Sequence, residues 1–94
     1  MKIMVAGGFD PLHVGHLRHI QAAKELGGYL IVAVNSDQDM IRKKGYCFMP
    51  LNERIEIVRA IKGVDEVIAV IDNDGSVTKT VRQVRPDIYA KGGD

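Results

Sequence analysis

Gly7-Gly8-Phe9-Asp10-Pro11-Leu12-His13-Val14-Gly15-His16 stands between an apolar run and an amphipathic one. Before it, Ile3-Met4-Val5-Ala6 reads as a core strand. After it, Leu17, Ile20, Ala23 and Leu26 recur at spacing three with Arg18, Gln21, Lys24 and Glu25 between them, which predicts a helix. Gly27-Gly28 stop that helix in the manner of a C′ glycine. The quoted stretch is therefore a strand-to-helix bend, with His13 and His16 at or just before a helix N-terminus. Unpaired backbone N–H groups and the positive dipole end favour an anion there. Spacing of three puts both imidazoles on one side of the first turn. Gly15, between them, leaves a gap through which a ligand can approach the backbone. Two imidazole donors, helix amides and a missing side chain suit a polyphosphate. One histidine near a helix start is usually only a polar residue at a convenient place; a pair around a glycine, at the end of a first strand, reads as a site.

Working outward, Tyr29-Leu30-Ile31-Val32-Ala33-Val34 is a continuous apolar run, the pattern of a strand buried on both faces. Residues 35 to 49 are polar and basic (Arg42-Lys43-Lys44-Gly45) and read as a loop with at most one helical turn. Pro50 opens a second helix with Glu53 in its first turn, the stripe Leu51, Ile55, Val58 and Ile61 inward, and Gly63 closing it. Val67-Ile68-Ala69-Val70-Ile71 is a third strand. After the turn Asp72-Asn73-Asp74-Gly75, Ser76 is the expected cap of a third helix with Val77, Val81 and Val84 inward and Pro86 ending it. Asp87-Ile88-Tyr89-Ala90 is a fourth strand, left by Lys91-Gly92-Gly93-Asp94. Strands alternating with helices call for an α/β fold with a parallel sheet and helices on both faces. Ligands of such a sheet bind outside the carboxyl ends of its strands.

Composition narrows the class. Ninety-four residues bound one small domain spanning 1–94. Apolar residues at 46% and charged residues at 27% exclude a disordered or collagen-like chain. Thirteen basic against twelve acidic residues give no excess that would argue for nucleic acid. Cys47, the single cysteine, cannot form an internal disulfide and points to a reducing compartment. The longest apolar run is too short to span a bilayer, and no signal-peptide core precedes the first strand. The expectation is a cytoplasmic protein without a membrane partner.

Gly8-Phe9-Asp10-Pro11-Leu12-His13-Val14-Gly15-His16 resembles the HxGH signature of the cytidylyltransferase-like nucleotidyltransferases. Val32-Ala33-Val34-Asn35-Ser36-Asp37 and Arg85-Pro86-Asp87-Ile88-Tyr89-Ala90-Lys91-Gly92-Gly93-Asp94 look most like the glycerol-3-phosphate cytidylyltransferase branch and the nucleotidyltransferase half of ADP-heptose synthase. The resemblance covers essentially the whole chain. It implies a Rossmann-like three-layer α/β/α fold with strand order 3-2-1-4. It also implies transfer of a nucleotidyl group from CTP or ATP to a small phosphorylated acceptor, of glycerol-3-phosphate or sugar-phosphate type, with release of pyrophosphate. His13 and His16 would donate to the phosphates, and Lys44 would sit over them from the loop after strand two, with Lys43 a near-equal candidate. Gly8, Phe9, Asp10, Gly15, Arg54, Gly92, Gly93 and Asp94 would contact the nucleotide. Mg²⁺ would arrive on the triphosphate, with no protein metal cage. A homodimer is carried over from the family.

Other readings of the same residues stay open at this point. Arg42-Lys43-Lys44 could be a solvated loop. Arg54 could hold phosphate bidentately, lie exposed, or pair with Glu53 or Glu56. Asp10 could order the bend through its backbone or initiate a turn with Pro11, and Gly92-Gly93 could be an ordinary turn. His19 extends the spacing of His13 and His16, but steps of three spread the rings around a helix and do not suit metal coordination. Cys47 reads as inert. The family continues into a fifth strand and a Ser/Thr-rich turn that grips the triphosphate, whereas this sequence stops at Asp94. The expectation is a longer parent protein; the alternative is a truncated nucleotide-binding or oligomerising module without turnover.

Overall fold

In a computed structural model, residues 1–91 are described; Gly92, Gly93 and Asp94 lie outside the described residues. The elements in chain order are β1 (Lys2–Gly7), α1 (Val14–Lys24), β2 (Tyr29–Val34), α2 (Asp37–Lys44), α3 (Leu51–Arg59), β3 (Glu66–Ala69), α4 (Thr78–Val84) and β4 (Ile88–Lys91). The four strands are parallel and ordered β3-β2-β1-β4. This is the Rossmann-like arrangement expected, with β1 inside the sheet and the bend that follows it at the sheet's carboxyl edge.

Period-two alternation along the inner strands feeds two separate cores. Ile3, Val5, Leu30, Val32 and Val34 face α1 and α3, where Ile20, Ala23 and Val58 are buried and Leu51, Ile55 and Ile61 pack alongside. Met4 and Ala33 face the other way and meet Val77, Val81 and Val84 around α4. Both faces of β1 and β2 are covered, which is why their sequences show no polar alternation.

Four sequence expectations are corrected. The polar segment after β2 contains a helix, α2, of eight residues. Ser36 caps it by accepting the Asp39 N–H at 3.1 Å, and Gly45 ends it at φ 87°. Asp37 and Asp39 lie in its first turn and Arg42, Lys43 and Lys44 in its last, so its charges complement the helix dipole. It has almost no apolar stripe and is invisible to hydrophobic periodicity. The third strand ends at Ala69, because the Ile71 N–H turns away to the Thr80 hydroxyl at 2.9 Å. Ser76 does not cap α4. Asp72 does so from upstream, taking the Lys79 and Thr80 N–H groups at 2.7 and 3.0 Å. Leu26 is 52% exposed, since α1 ends at Lys24 and Leu26 falls outside its register.

Candidate active site

The bend after β1 becomes a site through helix capping. His13 is the N-cap residue of α1, and its Nδ1 accepts the Gly15 N–H at 3.0 Å. His16, three residues on, reciprocates by accepting the His13 N–H on its own Nδ1 at 3.1 Å. This is the logic of a capping box, with imidazoles in place of the usual hydroxyl and carboxylate. The two rings lie 3.9 Å apart between centroids. Phe9, buried and in the left-handed region at φ 53°, sets its ring edge-on to His16 at 5.1 Å. A bulky residue at that φ stores strain, here held by ring burial. The first turn of α1 itself contains no acidic residue.

Gly15 is required by the chain itself. A Cβ at that position would lie 2.8 Å from Cε1 of His13. The missing side chain lets the ring fold back over the helix start. At Gly8 a Cβ would lie 2.6 Å from Sδ of Met40, so the end of that flexible side chain would have to shift.

Beside the histidines is a cavity of about 330 Å³ lined by Gly8, Phe9, Asp10, His13, His16 and Lys44, with Pro11, Met40 and Lys43 completing the wall. Pro11 and Met40 were not anticipated; Met40 arrives because α2 forms. Among the described residues the cavity lining carries two imidazoles, two ammonium-bearing side chains and the Asp10 carboxylate. Lys44 donates to both the carbonyl and the carboxylate of Asp10, the latter at 3.0 Å, and its ammonium lies 5.0 Å from the Tyr46 ring centre. Asp10 also accepts the Phe48 and Met49 N–H groups at 2.8 and 2.6 Å. Burial alone would raise the Asp10 carboxyl, but the Phe48 amide, the Lys44 ammonium and the Met49 amide hold it below the usual carboxylate range. Asp10 therefore ties the bend to the segment after α2, through partners more than thirty residues away in the chain.

Arg54 lies neither exposed nor on Glu53 or Glu56. It is 1% exposed. Its Nε donates to the Met49 carbonyl at 2.8 Å, and its Nη1 to the Gly8 and Asn35 carbonyls at 2.8 and 2.7 Å. Its Nη2 meets Asp37 at 2.6 Å. The guanidinium thus gathers the ends of β1 and β2, the start of α2 and the segment before α3 into one frame behind the cavity. Cys47 donates to Asp37 and to the Met49 carbonyl at 3.3 and 3.1 Å. Burial and the Asp37 carboxylate push its thiol up, away from reactivity. His19 is separate from the pair and meets the Ala90 carbonyl at 3.3 Å.

Among the described residues no group of three or more His, Cys, Asp or Glu is placed to hold a metal ion. No helix among them is long and apolar enough to cross a membrane.

Comparison with known proteins identifies the family. The family profile described as Cytidylyltransferase-like matches residues 4–94. The chain is similar to the FAD synthase of Methanobrevibacter ruminantium, 40% identical over 97 residues that span 100% of this chain and 63% of that protein. It is 44% identical to the bifunctional protein HldE of Streptomyces coelicolor over 98% of this chain and 20% of that protein. Among solved structures, the lipopolysaccharide core biosynthesis protein from Thermoplasma volcanium superposes with a TM-score of 0.84 at 32% identity, covering 95% of this chain and 71% of that one. The chain thus spans 63% of the length of that FAD synthase and a fifth of the HldE protein.

Proposed function

Because the chain belongs to the cytidylyltransferase-like family, we propose that it transfers a nucleotidyl group from CTP or ATP to a small phosphorylated acceptor. An acceptor phosphate oxygen attacks the α-phosphorus, the bond from that phosphorus to the bridging oxygen of the β-phosphate breaks, and pyrophosphate leaves. The observation that carries this reading is the reciprocally capped pair His13 and His16 at the start of α1, with the cavity and Lys44 beside it. The FAD synthase relatives favour ATP as donor and a flavin phosphate among the acceptors; glycerol phosphates and sugar phosphates are the other classes.

The chain's own residues supply positioning and charge, the main needs of phosphoryl-type transfer. Each imidazole uses Nδ1 to accept a backbone N–H, so in the neutral ring Nε2 carries the proton and serves as donor. Two such donors and the α1 amides stabilise charge on the transferring phosphorus and on the departing pyrophosphate. Lys44 moves from Asp10 to a phosphate when one arrives, and Lys43 stands next to it. Arg54 and Asp10 act by holding the frame. Gly92, Gly93 and Asp94 are assigned to the base or ribose on the family resemblance.

Among the described residues that line the cavity the carboxylate is that of Asp10, which is engaged by Lys44 and two amides. The proposal places any Mg²⁺ on the nucleotide's own phosphates and water, in keeping with its preference.

The test is pyrophosphate release from CTP and from ATP across a panel of acceptor phosphates. Release with one pairing supports the transfer. Nucleotide binding with no release from any pairing favours a module without turnover.

A further inference from the structure

Helix α2 brings Met40, Lys43 and Lys44 into the cavity wall, yet it has almost no apolar stripe to hold it there. Its place is set by polar ties. At its start Asp37 accepts from Arg54 at 2.6 Å. In its last turn Lys44 donates to Asp10, within the cavity wall. Arg42 points the other way, since at 3.6 residues per turn it lies roughly 160° around the helix from both Met40 and Lys44.

On that far side the Arg42 guanidinium spans two elements. Its Nη1 meets the buried carboxylate of Asp39 at 2.6 Å, and its Nη2 donates to the Asn73 carbonyl, in the turn after β3, at 3.2 Å. It lies against Gly75 of the same turn, where a Cβ would come within 3.3 Å of Nη1. The turn it grips is itself held, by Asp72 on the Lys79 and Thr80 amides and by Asp74 on the Ser76 N–H and hydroxyl. Asp39 in turn accepts from the Asn35 side chain at 3.2 Å, and the Asn35 N–H donates to the Gly7 carbonyl at 2.9 Å. A line of hydrogen bonds thus runs from the turn after β3, behind α2, to the end of β1. Neither Asp39 nor Asn73 lines the cavity. When Lys44 exchanges Asp10 for a phosphate, the last turn of α2 gives up one anchor and keeps those of Arg42.

We propose that Arg42 is a positioning residue: by bridging Asp39 to the Asn73 carbonyl it fixes the last turn of α2 and so aims the Lys43 and Lys44 ammonium groups at the phosphates. This rests on the nucleotidyl-transfer reading above. Lysine does not substitute for it, because a single ammonium on Asp39 lacks the planar fork that reaches acceptors on two elements at once.

The test measures pyrophosphate release and urea midpoints for Arg42→Lys and Arg42→Ala, each in the native chain and in one carrying Lys43→Ala/Lys44→Ala. Arg42→Lys leaves a cation on Asp39, so its midpoint stays near native, while release falls at least about tenfold, a misplacement effect. Arg42→Ala loses at least as much. Without the two lysines nothing is left to aim, and either substitution changes the residual release by less than about twofold. Full release by Arg42→Lys, or an equal loss with and without the lysines, overturns the inference. If no pairing releases pyrophosphate, the transfer reading fails, and calorimetric binding of CTP and ATP decides this one. Arg42→Lys then weakens nucleotide binding about tenfold with the lysines present and less than about twofold without them. Equal weakening in both backgrounds, no weakening in either, or no binding by the native chain overturns it.

Discussion

His13 and His16 share the first turn of α1: the His13 N–H donates to Nδ1 of His16 at 3.1 Å, and Nδ1 of His13 accepts the N–H of Gly15, the residue between Val14 and His16, at 3.0 Å. A neutral imidazole nitrogen that accepts cannot also hold the proton. The fold therefore fixes both tautomers before any ligand arrives. The same hydrogen bonds that start α1 hold the two rings 3.9 Å apart between centroids.

This dual role separates rate from stability. His13→Asn and His16→Asn place an amide near the former Nδ1 and keep a cap, but lack a group at Nε2. Each is expected to lower pyrophosphate release by on the order of a hundred- to a thousandfold, with stability within about 0.5 kcal/mol of the native chain. The alanine variants lose the same rate and a further ~1 kcal/mol, as for other N-cap losses. Turnover and urea midpoints measured on the four variants check this; an asparagine variant with full turnover removes that ring from the chemistry.

Gly15→Ala sets helix propensity against ring position. Alanine inside a helix is favoured over glycine by about 1 kcal/mol, but its Cβ would lie 2.8 Å from the His13 ring. We expect the ring to swing away, the cap to loosen and turnover to fall at least tenfold, a misplacement effect. Parallel melting curves and rate measurements decide it, and unchanged turnover would mean the ring position is not critical.

Arg54→Met removes the donor for three carbonyls, those of Gly8, Asn35 and Met49. Each buried acceptor left unpaired costs about 1–3 kcal/mol, so a loss of at least ~3 kcal/mol is expected. The urea midpoint reports it. A loss below ~1 kcal/mol would show that the frame does not depend on this guanidinium.

Asp72 predicts the acid limb of stability. Burial alone would raise its carboxyl, but the Thr80 hydroxyl, the Lys79 and Thr80 amides and Ser76 outweigh it and bring it from 3.8 down to about 2. A folded-state value below the unfolded one stabilises fully above the unfolded value, and that contribution fades as pH falls from there toward the folded value. Asp72→Asn should flatten the stability profile between roughly pH 4 and pH 2, read from urea midpoints at stepped pH. An unaltered acid limb would contradict the assigned hydrogen bonds.

Much of this could be read from residue order. The alternation of apolar runs with helical stripes gave the parallel sheet, and the His13–His16 spacing gave the facing rings. That spacing is also N-cap to N3, a capping-box interval, so the reciprocal cap was written in the sequence under unfamiliar residue types. Helix α2 was hidden because charge and capping stabilise it with little apolar periodicity; Ser36, the acidic first turn, the basic last turn and Gly45 were its signals. Burial of Arg54 had no local signal at all. Its acceptors come from positions 8, 35, 37 and 49, which only the folded topology brings together.

Nitrogen-detected NMR of the histidine rings, with and without nucleotide, addresses the imidazole pair directly. In their neutral forms His13 and His16 should both appear as Nε2–H tautomers, and CTP or ATP should move their Nε2 resonances while leaving that of His19, held on Ala90, in place. Nδ1–H tautomers for the pair, or Nε2 resonances that stay fixed at saturating nucleotide, would contradict it.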